Sequence, residues 1–588
     1  MENMDIEEIV PSTASIVTTL MVKELARLPA TDYVTPAAFT ATIRRLGRKY
    51  KALPSKRDLG VAYRALVTAG QLQENPTLQD TLIQKAVRSS SGILNVSVSM
   101  PPDKFSCKFN CHFCPNEPGM PRSYLSNEDV FKRAARVDFD TVQQVYSRLR
   151  ALDTNGHPLD KIEFRVLGGT FSSYDHDVAT TFMRDLYYAA NTYYEGDGRQ
   201  RSTLEEEQVR NVTAAVHVVG LGIETRPDTI TLDEIVRFRR YGVTRVEMGV
   251  QHTDDALLRR VNRGHLVSHS KTAIRLLKDY GFKVEIHIMT DLPGATPDGD
   301  MECYRQVLQG PDLIPDYLKD YPCLDVDFTE IKKWKATGKW TPYSEQTPDA
   351  RDLKEVLIYR QAITPKWVRV NRMQRDFQEA KEGRLGYTSD AIKSNLAQLV
   401  TDEAEARGIY CQCIRCCEIS TESFDPAAIR YTIHPFTASG APEFYICAEI
   451  PRTQRDLLLG FARLRITDMQ GSVIPELEGK TAMIRELHVY GRVKTVGGGS
   501  AGAGAQHLGI GKRLLEIAEE LAARHGSAQV AVISGIGVRG YYEKRGYTLK
   551  GTYMIKDVPS AWPYIIGLFV FTMLLVLELF LRVAGSVL

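Results

Sequence analysis

The sequence predicts an α/β protein built from a partial barrel of parallel strands, a second α/β domain, a helical N-terminal region and one apolar C-terminal span. Three observations carry that reading. From Gly92 onward, β-prone apolar runs alternate with amphipathic helical stretches, the pattern of a parallel sheet. A cysteine triplet follows the first of those runs, and a glycine loop opens an amphipathic helix near residue 510. The 588 residues suffice for three or four domains, and 43% apolar with 25% charged residues is an ordinary globular composition. A net charge of +2 excludes a global nucleic-acid field, so any such partner must be met by local patches. Ten cysteines, in two tight clusters plus singles, point to metal ligation in a reducing compartment rather than to disulfides. The acidic opening, Met1 to Val10, lacks the basic and apolar regions of a secretory signal, so a cytosol-facing chain is expected.

Residues 1–90 read as a helical, basic region. Arg44, Arg45, Arg48, Lys49, Lys51, Lys56 and Arg57 precede the next acid, Asp58. Such a cluster neutralises phosphates and gives salt-sensitive RNA affinity; a solvated helix face is the alternative that charge alone leaves open.

Residues 91–400 read as the barrel, of partial TIM type. ILNVSVSM, KIEFRVLGGTF, VVGLGIETRP, VTRVEMGVQ and KVEIHIMTDLPG are buried strands ending in polar or glycine-rich turns. In such sheets the chemistry lies at the C-terminal strand ends. There the sequence puts Gly168, Gly169 and Thr170, then Glu224 and Arg226, then Gln251, then Asp291. The glycines let a ligand approach the backbone, and the carboxylate and amide can bind a ribose or an amino group. Cys107, Cys111 and Cys114 are spaced C-x3-C-x2-C. Three thiolates on one loop can hold a 4Fe–4S cluster and leave its fourth iron open to a ligand. A zinc loop and unrelated core cysteines are the alternatives.

Residues 401–420 form a cysteine-rich linker, with Cys411, Cys413 and Cys416 spaced C-x-C-x2-C and Cys417 adjacent. Structural zinc takes four tetrahedral N/S ligands. His434 is the expected fourth, Cys417 its competitor, and a metal-free turn the alternative. In residues 421–558, Gln506, Gly509 and Gly511 give Q-x2-G-x-G at a helix start, where backbone N–H groups bind a pyrophosphate. Beyond Trp562 some twenty almost wholly apolar residues precede Arg582, enough for a bilayer span of about 30 Å. The reading is a tail anchor over 562–582 in an intracellular membrane, the mitochondrial outer membrane or the endoplasmic reticulum; a helix closing the last domain is the alternative.

The cysteine spacing resembles that of radical S-adenosylmethionine (SAM) enzymes, and the region around Gly509 resembles the GNAT acetyltransferases. Their combination is similar to the family of the Elongator catalytic subunit and its archaeal and bacterial relatives, over about residues 80–557. KAVRSSSGI, GIETRPD, RVEMGVQ, VNRGH, MTDLPG, RVNRMQRD, IRELHVYG and ISGIGVRGYYEKRGY carry it. The first two cluster cysteines are closer together than is usual in that family, and the apolar tail is not general in it.

The resemblance implies carboxymethylation of C5 of wobble uridine in tRNA, with a 4Fe–4S cluster, SAM, acetyl-CoA and zinc, and with Elongator-type accessory subunits as candidate partners. SAM is cleaved by one electron, the resulting radical takes a hydrogen from the acetyl methyl group, and the carbon radical adds to C5. It implies Gly168, Gly169, Thr170, Glu224 and Gln251 as SAM-side contacts. Glu486, Leu487, His488, Val489, Gln506, Leu508, Gly509, Ile510, Gly511 and Tyr541 are its acetyl-CoA contacts. Tyr541 and Tyr542 fall near the thioester, with Lys283 as a helper in its hydrolysis. The N-terminal cations, Arg44 to Lys51 among them, then become tRNA contacts. Two rival readings stand beside this one. The first is a histone- or tubulin-type lysine acetyltransferase using Glu486, with the cluster reduced to a scaffold. The second is a non-catalytic, membrane-tethered tRNA-binding protein.

Overall fold

The computed structural model describes residues 13–89, 91–104, 107–375, 377, 385–389, 392–419, 422, 424–491 and 508–558. The N-terminal helices Pro36–Tyr50, Lys56–Thr68 and Pro76–Leu82 start at side-chain caps from Thr35, Ser55 and Asn75. Those caps satisfy N–H groups that the first turn leaves unpaired. With helix Thr13–Leu25 they bury Met21, Leu25, Leu46, Leu59, Tyr63 and Leu78 in a core of their own.

Among the described residues, two seven-stranded sheets follow. The first is wholly parallel and runs in chain order: β1 (Leu94–Ser99), β2 (Lys161–Leu167), β3 (His217–Thr225), β4 (Arg245–Gln251), β5 (Lys283–Ile288), β6 (Tyr317–Asp320) and β7 (Arg369–Arg372). Sequential order with every crossover helical is the open half-barrel expected. β1 to β5 match the strands read from the sequence; β6 and β7, four residues each, do not announce themselves there. The crossover helices Thr141–Thr154, His176–Thr192 and Val267–Asp279 face the sheet with apolar stripes such as Val142, Val145 and Leu149. Helix Leu396–Ala406 straddles the boundary expected at residue 400.

The second sheet contains β8 (Arg430–Ala438), β9 (Ala441–Ile450), β10 (Leu457–Asp468), β11 (Lys480–Val489), β12 (Gln529–Val532), β13 (Thr548–Lys550) and β14 (Tyr553–Asp557). Its order is β13-β14-β12-β11-β10-β9-β8, antiparallel except for the β11–β12 pair. Helix Ile510–Arg524 packs on it through Leu514, Ala518 and Leu521.

This domain closes the N-terminal end of the barrel. Gly535 and Gly537 press against Val219 and His217 of β3, where a Cβ would overlap the strand backbone. At the same junction Arg485 of β11 donates to Asp316, just before β6, at 2.6 and 2.7 Å and to Glu443 of β9 at 2.8 Å. Lys278 meets Glu443 at 3.1 Å. Opposite charges thus offset each other where desolvation would otherwise be prohibitive. No helix among the described residues is long and apolar enough to cross a membrane. The tail over 562–582 lies outside the described residues.

Candidate active site

A cavity of about 720 Å³ runs through the half-barrel. Cys107, Cys111 and Cys114 line one end of it, and Glu486, His488 and Tyr490 of the second domain line the other. Two regions of expected chemistry, nearly 400 residues apart in sequence, share one space.

At the cysteine end, Cys111 is buried and accepts from two guanidiniums, Arg226 Nη1 at 3.7 Å and Arg263 Nη1 at 3.5 Å. Burial pushes the Cys114 thiol up to about 12, the neighbouring Cys111 adds to that, and Arg122 opposes it. A bound cation would reverse this shift, since ligation deprotonates thiols. Three sulfur donors, cationic surroundings and open space beside them fit a cluster with a free iron position. Gly169, Thr170, Glu224 and Gln251 line the same space, as their strand-end positions predict. Gly169 has φ +84° and Gln251 φ +74°, so both chain turns leave the strand in the left-handed region. Gly168 serves packing instead: a Cβ there would stand 2.9 Å from Tyr174 Oη and 3.0 Å from Met100 Cβ. Asp291 turns away from the cavity and accepts from the backbone N–H groups of Tyr343 at 2.7 Å and Ser344 at 3.2 Å.

Glu224 is the carboxyl on this wall whose pKa is raised. Burial and the nearby Glu247 raise it to about 7, and the Tyr124 hydroxyl donates to it in a short hydrogen bond. Tyr124 carried no sequence signal. Nor did the ions lining the middle of the barrel: Arg165 pairs with Glu247 and, at 3.2 Å, with Glu285; Arg245 meets Glu163 at 3.1 Å; Lys319 meets Glu285 at 3.1 Å.

On the opposite face of β11 from the cavity-lining Glu486 and His488, β12 accompanies β11 only from Thr481 to Ile484, after which the two strands part. Gly509, at φ +71°, caps helix Ile510–Arg524. A Cβ on Gly511 would stand 2.8 Å from Tyr541 Oη and 3.4 Å from Val489 Cγ2. Gly511, Tyr541 and Val489 therefore meet at the helix mouth. Leu508 is exposed beside them and Ile510 is buried in the core, while Gln506 lies outside the described residues. Arg545 stacks on Tyr541 at 3.5 Å. Tyr542 departs from its expected place: it is buried among apolar side chains and packs edge-on against Tyr547. It fills the core rather than the helix mouth.

Glu486 is held by the Tyr317 hydroxyl and, at 2.9 Å, by Arg463 Nε. Burial opposes its ionisation, but Arg463, Lys283 and Tyr317 outweigh it and hold the carboxyl down at about 2. Such a carboxylate is a feeble general base near neutrality. His488 Nε2 donates to Ser91 O at 3.1 Å, and Leu487 and Val489 pack at the edge of the second core. Lys283, at the start of β5, shares the cavity with His488 and lies 3.7 Å from Glu163.

The sulfurs of Cys411, Cys413 and Cys416 lie within 4.8 Å of one another, which suits one ion with Zn–S bonds of about 2.3 Å. His434 does not join them. β8 pairs it with Tyr445, and its ring gathers instead with Cys447 and Glu449 of β9. The expected fourth-ligand role of His434 is thereby corrected: strand register carries it to another cluster. Cys417 is also turned aside, donating to Gln412 O at 3.5 Å. Arg44, Arg45, Arg48, Lys49 and Lys51 are all exposed, though Arg45 meets Asp32 at 3.3 Å and Lys49 meets Glu24 at 2.6 Å.

The half-barrel with its cysteine loop defines the class: residues 105–305 match the radical SAM superfamily. The chain is 35% identical over 499 residues to "tRNA uridine(34) acetyltransferase" of Methanocaldococcus infernus, covering 83% of this chain and 89% of that protein. It is 33% identical over 506 residues to "Elongator complex protein 3" of Homo sapiens, covering 84% and 89%. A solved structure of the Methanocaldococcus infernus Elp3 with an N-terminal deletion superposes with a TM-score of 0.66 at 32% identity, covering 79% of this chain and 99% of that one. The chain belongs to the family of tRNA uridine(34) acetyltransferases and Elongator complex protein 3.

Proposed function

We propose that this chain carboxymethylates C5 of uridine 34 in tRNA, drawing its radical from SAM and its two-carbon unit from acetyl-CoA. The observation that carries the reading is the shared cavity, with a sulfur triplet at one end and the acyl domain's β11 at the other. Cys107, Cys111 and Cys114 would hold the 4Fe–4S cluster; Gly169, Thr170, Glu224 and Gln251 would seat SAM. The bound cluster supplies the electron that cleaves SAM. Gly509, Gly511 and Tyr541 would hold the CoA arm, with Lys283 and His488 nearest the acyl end as candidates to assist thioester hydrolysis. Restoring the base after the addition requires loss of one electron, which the oxidised cluster would take back, and of the C5 proton, for which Glu224, raised to about 7 by burial, has suitable basicity.

The lysine acetyltransferase reading loses its base, because Glu486 is already engaged by Arg463 and Tyr317. Zinc at Cys411, Cys413 and Cys416, tRNA contacts through Arg44, Arg48 and Lys51, Elongator-type accessory subunits and a cytosol-facing tail anchor complete the proposal. Anaerobic protein incubated with SAM, dithionite, acetyl-CoA and tRNA tests it, beside a lysine peptide. SAM cleavage that requires both tRNA and acetyl-CoA is the expected result. Peptide acetylation without SAM cleavage would replace the reading with its rival.

A further inference from the structure

Two arginines from different strand-end loops converge on one sulfur of the triplet. Arg226 follows β3 and Arg263 follows β4; their side chains are 3% and 6% exposed. Each places a guanidinium nitrogen on Cys111 Sγ, at 3.7 and 3.5 Å. Both groups are fixed from behind. Arg226 is clamped by Asp228 at 2.9 Å, donates to Arg263 O at 2.7 Å and lies 3.6 Å over the ring of Phe109. Arg263 donates to Gly249 O at 2.5 Å and to His265 Nε2 at 3.0 Å. Neither side chain can swing out to follow a change of charge at the sulfur. Asp228 offsets part of the charge of Arg226, whereas the fixing partners of Arg263 are a carbonyl and an imidazole. The stronger net field therefore comes from Arg263.

We propose that Arg263 and Arg226 are tuning residues that raise the reduction potential of the cluster through Cys111. The proposal rests on the cluster assignment to Cys107, Cys111 and Cys114. Reduction adds one electron, taken from a low-potential one-electron donor, and makes the thiolate-bound cluster one charge more negative. Fixed buried cations favour that more negative state over the oxidised one. Hydrogen bonds to cluster sulfurs and local charge are the protein's means of setting such potentials. A charge-assisted hydrogen bond in a buried site supports a differential effect of about tenfold in the reduction equilibrium, which for one electron is about 59 mV.

The test is a redox titration, followed by the paramagnetic signal of the reduced cluster, on anaerobically reconstituted full-length protein. R263Q is expected to lower the midpoint by about 59 mV and R226Q by less, with R263K and R226K between each variant and the parent. Iron and sulfide contents are measured on the same samples. Midpoints in R263Q and R263K equal to the parent's, at full iron content, overturn the proposal. Loss of the cluster in all four variants overturns it too, because the arginines would then only hold the loop. A parent protein that assembles no cluster refutes the underlying assignment instead, so the two failures are distinguishable.

Discussion

Gly264 offers the sharpest test of how the cysteine loop is supported. It has φ +81°, and a Cβ there would lie 2.7 Å from Phe109 Cε1, closer still to Cδ1, and 3.3 Å from Arg226 Nη2. Phe109 stands between Cys107 and Cys111, so any displacement of its ring moves the loop that carries both. In Gly264→Ala the backbone strain of an alanine at positive φ costs about 1–2 kcal/mol. Relief of the overlap costs about 1–3 kcal/mol more. Together they total about 2–5 kcal/mol, concentrated on a loop at the cavity wall rather than spread through the core. The barrel should remain folded while cluster occupancy falls. Iron content and visible charge-transfer absorption after anaerobic reconstitution read this directly, with circular dichroism and tRNA affinity as controls. A variant with parental iron content and parental SAM cleavage would refute the argument, because the ring would have moved without consequence for the cysteines.

Gly509→Glu should abolish acetyl-CoA binding measured by calorimetry, since a carboxylate at the helix mouth repels a pyrophosphate; unchanged affinity would remove the CoA arm from that loop. Glu224→Gln tests the raised carboxyl. Its neutral form favours the folded state, so the contribution to stability is complete below pH 4.5, the ordinary value, and is lost as pH rises through about 7. The amide variant should show a flatter melting temperature across that window than the parent, and an identical slope would count against the assignment.

The five long strands and the cysteine loop were legible because apolar runs and fixed spacings survive in a linear sequence. β6 and β7 were not, since four residues give no periodicity and Lys319 and Arg369 interrupt the apolar signal. Charged positions inside KIEFRVL mislead for a related reason. Glu163 and Arg165 alternate with apolar neighbours as a solvated face would, yet that face lines the cavity. Proximity in sequence makes His434 a candidate fourth ligand but says nothing of strand register, and the β8–β9 ladder carries it away from the triplet. Arg263 and Arg375 lay within phrases that marked the family, but their partners, Cys111 at 3.5 Å and Ser123 Oγ at 3.0 Å, belong to a loop more than a hundred residues earlier. Tyr541 and Tyr542 show the limit of motif placement: adjacent residues on one short helix point to the helix mouth and to a core.

The shared cavity demands that the two domains keep a fixed relation, and the buried ions at their junction are suited to that task. Arg485 spans the boundary, with Asp316 on the barrel side at 2.6 Å and Glu443 of the second sheet at 2.8 Å. An apolar contact of similar size would stabilise the same interface but tolerate sliding; a bidentate guanidinium fixes both distance and angle. In Arg485→Met both carboxylates lose their shared partner. Removing one member of a buried ionic group costs about 3–5 kcal/mol, and because Lys278 and Arg465 still face Glu443 the lower end is expected here. One face of the second sheet packs in a core of its own, and the other joins the barrel core through Met483, Ala531, Ile533 and Ile555, so each fold should persist and SAM and acetyl-CoA should still bind with affinities near the parent's. What should disappear is the dependence of SAM cleavage on acetyl-CoA, because the acyl end no longer holds its distance from the cysteines. Retained dependence in a variant destabilised to that extent would mean that the domains communicate by another route, and the junction would then be structural alone.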